Sequence, residues 1–121
     1  MSICRYERSY PVTGCNSDYT ADCKITKSYD NPPYTVHIVN GAGGDTEGID
    51  PTWVGAEKVP FRANHSQGYH TGYARVSVNQ TALEWTFVYS GSDAFPHANK
   101  SIPGAEAGKI LDHFVITKNS H

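Results

Sequence analysis

The chain has 121 residues, with Lys+Arg 10 against Asp+Glu 12 and only 18% charged residues, which leaves room for one domain and excludes a nucleic-acid binder driven by a dense basic field. No apolar stretch approaches the roughly 20 residues a membrane helix needs, and the first residues lack the apolar segment of a signal peptide, so neither nucleic acid nor membrane is expected as a partner. Tyr (8), Gly (11) and Pro (7) are prominent, a mixture that suits short strands and turns better than helices.

In chain order, the first signals are three cysteines, Cys4, Cys15 and Cys23. None forms the C-x-x-C pair of a zinc or redox site. Cys15 and Cys23, flanked by Gly14, Asn16, Ser17 and Asp18, fit a disulfide that closes a loop in an oxidising compartment; free thiols in a cytosolic loop are the alternative. Next, Pro32-Pro33 sets the start of a strand from Tyr34 to Asn40, because prolines cannot sit inside a helix or a central strand. The glycines of Asn40-Gly41-Ala42-Gly43-Gly44-Asp45 end it. Trp53 to Tyr69 is polar and broken, and reads as a long surface loop. Gly72 to Val78 and Thr81 to Tyr89 alternate in character and form a hairpin that turns at Asn79-Gln80. A second long loop runs from Ser90 to Lys109. Ile110 to Thr117 is the last strand, apolar on both faces and so covered on both sides. No segment keeps the i, i+3, i+4, i+7 pattern of an amphipathic helix. The expected fold is a single domain over residues 1–121, mainly β (α+β at most), on a four- to five-stranded antiparallel or mixed sheet with long loops.

Several residue sets invite a chemical reading, and spacing argues against each. The turn Gly41-Ala42-Gly43-Gly44 matches neither G-x-x-x-x-G-K-[ST] nor G-x-G-x-x-G, and no helical pattern follows to add a dipole; it reads as a tight turn passing close to a neighbour. Six histidines occur, at His37, His65, His70, His97, His113 and His121, without metal-ligand spacing; His37 and His113 fall within predicted strands, as packed or hydrogen-bonded side chains. Asp45, Glu47 and Asp50 lack the order of a calcium loop and read as turn formers. No G-x-S-x-G elbow presents a nucleophile. No catalytic or metal-binding residue is assigned. Asn64, Asn79 and Asn99 each begin an N-x-S/T sequon, so all three are candidate glycosylation sites and give weight to secretion.

Tyr6-Glu7-Arg8-Ser9-Tyr10-Pro11-Val12 resembles the run after the last metal-binding motif of purple acid phosphatases, G-H-x-H-x-Y-E-R with a Tyr-Pro shortly beyond. Thr35-Val36-His37-Ile38-Val39-Asn40-Gly41-Ala42-Gly43-Gly44, then Gly72-Tyr73-Ala74-Arg75-Val76, Glu84-Trp85 and Leu111-Asp112-His113-Phe114 resemble the C-terminal region of that family, in the same order. The resemblance implies part of a two-sheet sandwich, here half of one. It also implies a secreted or vacuolar/lysosomal location and, for a full-length member, hydrolysis of phosphate monoesters at acid pH by dinuclear iron, or iron with zinc or manganese. Aligned on G-H-x-H, Met1 stands at the glycine, Ser2 at the first histidine, Ile3 at the spacer and Cys4 at the second histidine. A serine hydroxyl and one thiolate do not replace two imidazoles, and the family's other ligands lie upstream. The expectation is a truncated, non-catalytic member without a cofactor of its own, in which Glu7 and Arg8 make an ion pair or cap and Tyr6 packs.

The row Leu83, Trp85, Phe87, Tyr89 would bury several hundred Å2 if covered, at about 25 cal/mol per Å2. The long loops fold over it, or a second copy or the missing catalytic half pairs with it. The competing class is a secreted β-rich module that holds a glycan or protein partner through exposed Trp53, Tyr69 and Tyr73.

Overall fold

A computed structural model describes residues 5–15, 23–43, 59–65, 70–93 and 107–119. Among them there is no helix, and eight strands follow one another: β1 (Tyr6–Ser9), β2 (Val12–Thr13), β3 (Lys24–Ile25), β4 (Ile38–Asn40), β5 (Arg62–His65), β6 (His70–Val78), β7 (Ala82–Asp93) and β8 (Ile110–Thr117). The protein is mainly β, as composition and alternation predict. The strands are divided over three small antiparallel sheets, however, ordered β4-β1-β5, β2-β3 and β6-β7-β8, where the sequence suggested one sheet of four or five.

The β6-β7-β8 sheet is the best specified. Its long strands are rich in β-branched and aromatic residues, which fit a pleated surface. The hairpin turns where expected. Asn79 Oδ1 accepts from the backbone N–H groups of Thr81 and Ala82 at 2.9 and 2.8 Å, the local side-chain bond that makes asparagine a turn former. Register runs from Gly72↔Tyr89 to Val78↔Leu83 on one side of β7, and from Ala82↔Thr117 to Val88↔Ile110 on the other, with a bulge at Phe87/Val88.

The predicted strand Tyr34 to Asn40 is trimmed to Ile38–Asn40. The cause is Pro11. Ser9 N–H donates to His37 O and Val12 N–H to Thr35 O, both at 2.9 Å, but proline between them has no N–H to continue the ladder; only a bridge at Val12↔Thr35 remains. The first long loop contains β5, which pairs with β1 through Glu7↔His65 and Arg8↔Asn64. In the second, β7 extends to Asp93, and the chain returns through Gly108 N–H to Tyr89 O and Tyr89 N–H to Lys109 O. Cys15 and Cys23 are disulfide-bonded across the short β2-β3 pair.

The two three-stranded sheets meet at Tyr6, which stacks on Phe87 with ring centroids 4.1 Å apart. Ala42 completes this cluster, with Ile38, Trp85 and Leu111 around it. The aromatic row is therefore covered by the chain itself at the Phe87 and Tyr89 end, which are 1% and 0% exposed. At its other end Leu83 and Trp85 are half-buried, while their neighbours on β6, Val78 and Val76, are 67% and 50% exposed. The Gly41–Gly43 turn is the close approach expected of it: Ala42 is fully buried, and its carbonyl accepts from Gly72 N–H at 2.8 Å.

Candidate functional site: a buried carboxylate clamp

An acidic residue in the middle of an apolar strand must find partners or lose its charge. Asp112, on β8, finds four donor atoms. Its Oδ2 accepts from Tyr6 hydroxyl and Arg8 Nε, each at 2.7 Å. Its Oδ1 accepts from Arg8 Nη2 at 2.8 Å and from Asn64 Nδ2 at 2.7 Å. The guanidinium fork thus matches the carboxylate bidentately, the geometry that distinguishes arginine from lysine. β1 supplies Tyr6 and Arg8 from alternate positions on one face, β5 supplies Asn64, and the pairing Arg8↔Asn64 sets them side by side.

Arg8 is held on its remaining sides as well. Its Nη1 donates to Tyr29 hydroxyl, which donates in turn to Ser9 O at 2.9 Å. Its Cζ lies 4.6 Å from the Phe114 ring centroid and 5.4 Å from that of Tyr29, within cation–π range. Arg8 and Asp112 are 8% and 7% exposed.

Burial is the largest influence on Asp112 and works against ionisation, but the bonds from Arg8, Tyr6 and Asn64 and the charge of Arg8 outweigh it, so its pKa lies below the ordinary carboxylate value. Burial likewise opposes the charge of Arg8 and is overcome by Asp112, leaving that pKa raised. The Tyr6 phenol is pushed well above its usual range by burial first and by its bond to Asp112 second. Burial raises Tyr29 too, partly opposed by Arg8. All of these directions favour one fixed protonation state at neutral pH, with Asp112 and Arg8 charged and both phenols neutral.

Glu7 and Arg8, expected to make an ion pair or cap, each take a different partner, and that of Arg8 is Asp112. Glu7 pairs instead with Arg62, Oε1 to Nε 3.3 Å, and Tyr6 packs as expected. Asn64 is drawn into the clamp. Asn79 sits at the hairpin tip. Asn99, Asp45, Glu47, Asp50, Trp53, Tyr69, His97, His121 and Met1 to Cys4 lie outside the described residues. His37 and His113, expected to be packed or hydrogen-bonded, are exposed rather than packed: the backbone N–H of His37, just before β4, donates to Ser9 Oγ at 2.8 Å, and His113 Nε2 lies 3.9 Å from Glu84 Oε1. Tyr73 is 50% exposed on β6.

Asp112 is not free to ligate a metal ion. Both oxygens of the buried carboxylate are committed to Arg8, Tyr6 and Asn64, a donor set that neutralises the charge a cation would need.

A β domain of paired sheets locked by a tyrosine-arginine-aspartate clamp is what the fold and site define. The family model described as iron/zinc purple acid phosphatase-like protein C matches residues 34–95, about half of the chain. The chain belongs to this family of purple acid phosphatase-like C-terminal domains. The match includes Asn64, while Tyr6 and Arg8 precede it and Asp112 follows it. No curated protein and no solved structure matches the chain.

Proposed function

We propose that this chain acts as a non-catalytic purple acid phosphatase-like domain, in which the polar residues retained from the motif form a structural lock. The observation that carries this reading is the clamp itself: Tyr6 and Arg8 both direct their donors onto Asp112, which leaves neither guanidinium fork nor phenol turned toward a phosphate. Ser2 and Cys4, at the positions of the two motif histidines, support it from the sequence. With para-nitrophenyl phosphate at acid pH, and iron and zinc supplied, turnover stays at the protein-free level. Turnover that a chelator abolishes overturns the reading.

The Cys15–Cys23 disulfide supports an oxidising compartment, secreted or vacuolar/lysosomal. Exposed Val76, Val78 and Ile110 support pairing with a second copy or with a catalytic half. Size exclusion with light scattering reads this directly: a monodisperse monomer that binds no hydrophobic dye counts against pairing. A second reading, a module that binds a glycan or protein, rests on half-exposed Tyr73. A glycan array on which the protein and its Tyr73→Ala variant give the same signal rejects it.

A further inference from the structure

The asparagines of two of the sequons, Asn64 and Asn79, lie among the described residues, and the fold uses their amides in opposite ways. Asn64 is half-buried, with Nδ2 donating to Asp112 Oδ1 at 2.7 Å and Oδ1 accepting from His65 N–H at 2.8 Å. A sugar on that nitrogen would replace one of its two hydrogens and set a ring against the Arg8–Asp112 pair, in space the sheets already fill. Asn79 is exposed at the hairpin tip. Only its oxygen is engaged, accepting from Thr81 N–H, Ala82 N–H and, at 3.3 Å, the Thr81 hydroxyl. These bonds fix the amide through its carbonyl and leave the nitrogen for chemistry. Beside it lies an open cleft of about 200 Å3 walled by Val78, Leu83 and Ile116, which gives a first sugar room and an apolar surface to lie against.

We propose that Asn79 is an N-glycan acceptor and that Asn64, although it also begins a sequon, stays unmodified in the folded protein. The donor class is a lipid-pyrophosphate-linked oligosaccharide. The Asn79 amide nitrogen forms a bond to the anomeric carbon, the bond from that carbon to the phosphate oxygen breaks, the amide loses one proton, and the lipid pyrophosphate leaves. The Thr81 hydroxyl, bonded to the same amide, is a positioning group. This inference rests on the secretory reading for where the reaction occurs.

The experiment supplies the compartment, so failure at Asn79 counts against the site and leaves the family reading standing. The full chain is directed into the endoplasmic reticulum of a cultured eukaryotic cell behind a cleavable leader. The secreted, folded protein is treated with peptide N-glycosidase in heavy-oxygen water, which converts a formerly glycosylated asparagine to labelled aspartate, and its peptides are mapped by mass. The label is expected on Asn79 and not on Asn64. Thr81→Ala, which keeps both backbone bonds to Asn79 Oδ1, abolishes the label with little change in thermal midpoint, and Thr81→Ser retains it. An unlabelled Asn79, or a labelled Asn64, overturns the proposal.

Discussion

Asp112 releases its proton more readily in the folded chain than in the unfolded one, and stability is linked to pH through that difference. A lowered folded pKa contributes stability that is present above the unfolded value of about 3.9 and is lost as pH falls through the folded value. Urea unfolding between about pH 6 and pH 2.5 therefore shows a steep acid loss in the native sequence and a shallower one in Asp112→Asn, as the linkage requires. Tyr6 has the opposite sign: its raised pKa gives stability that is full below about pH 10 and is lost on titration above it, and Tyr6→Phe removes that alkaline limb. Removing one side of the clamp leaves the other charge buried and alone. Arg8→Met or Asp112→Ala is expected to lower unfolding free energy by about 3–5 kcal/mol, whereas Arg8→Met with Asp112→Leu recovers much of it because no unpaired charge remains. Chemical denaturation of the three variants at pH 7 checks this.

β6 approaches β7 closely at Gly72. A Cβ there would lie 2.5 Å from Val88 O and 2.6 Å from the Phe87 ring, and the backbone oxygen cannot move without disturbing the ladder. Gly72→Ala is expected to cost about 1–3 kcal/mol by overpacking, read as a lowered denaturation midpoint. The β2-β3 pair is too short to hold by its ladder alone. Replacing Cys15 and Cys23 with serine is expected to cost about 2–3 kcal/mol through the freed loop, with native chain treated with reductant as the matching measurement. Legibility in the sequence follows the same physics. β8 falls at the predicted Ile110 to Thr117, and the hairpin turns at the predicted Asn79, because long alternating strands and an asparagine turn are local signals. β1 and β5 have none: Tyr-Glu-Arg-Ser becomes a strand by pairing with β4 and β5, and Arg-Ala-Asn-His by pairing with β1 across more than 50 intervening residues. The clamp was half legible. A lone carboxylate in an apolar strand announces that a partner exists, and the motif marks Arg8, with Glu7, for an ion pair or cap, but nothing in the spacing joins Arg8 to Asp112 or gives Asn64 a structural duty.

Across the whole molecule, protection should follow the layers. β7 is flanked on both sides and carries Phe87, Val88 and Tyr89, all nearly inaccessible, so its amides are expected to exchange slowest with deuterium. The outer edge of β6 around Val76 and Val78, and the short β3, should exchange orders of magnitude faster. Phe87→Ala empties the stacking partner of Tyr6 where the sheets meet, and is expected to lower stability by about 3–5 kcal/mol while also loosening β1, seen as faster exchange at Tyr6–Ser9. Coupled loss in two sheets from one substitution distinguishes a shared core from two independent layers.

Arg8 and Asp112 are separated by 104 positions. At a translation rate of roughly 5–20 residues per second, the ribosome makes the guanidinium about 5–20 seconds before its carboxylate exists. Throughout that interval the nascent chain carries an unanswered cation beside Tyr6, an aromatic surface awaiting its lid. The clamp therefore closes only after β8 has emerged, which makes this contact one of the last that synthesis permits.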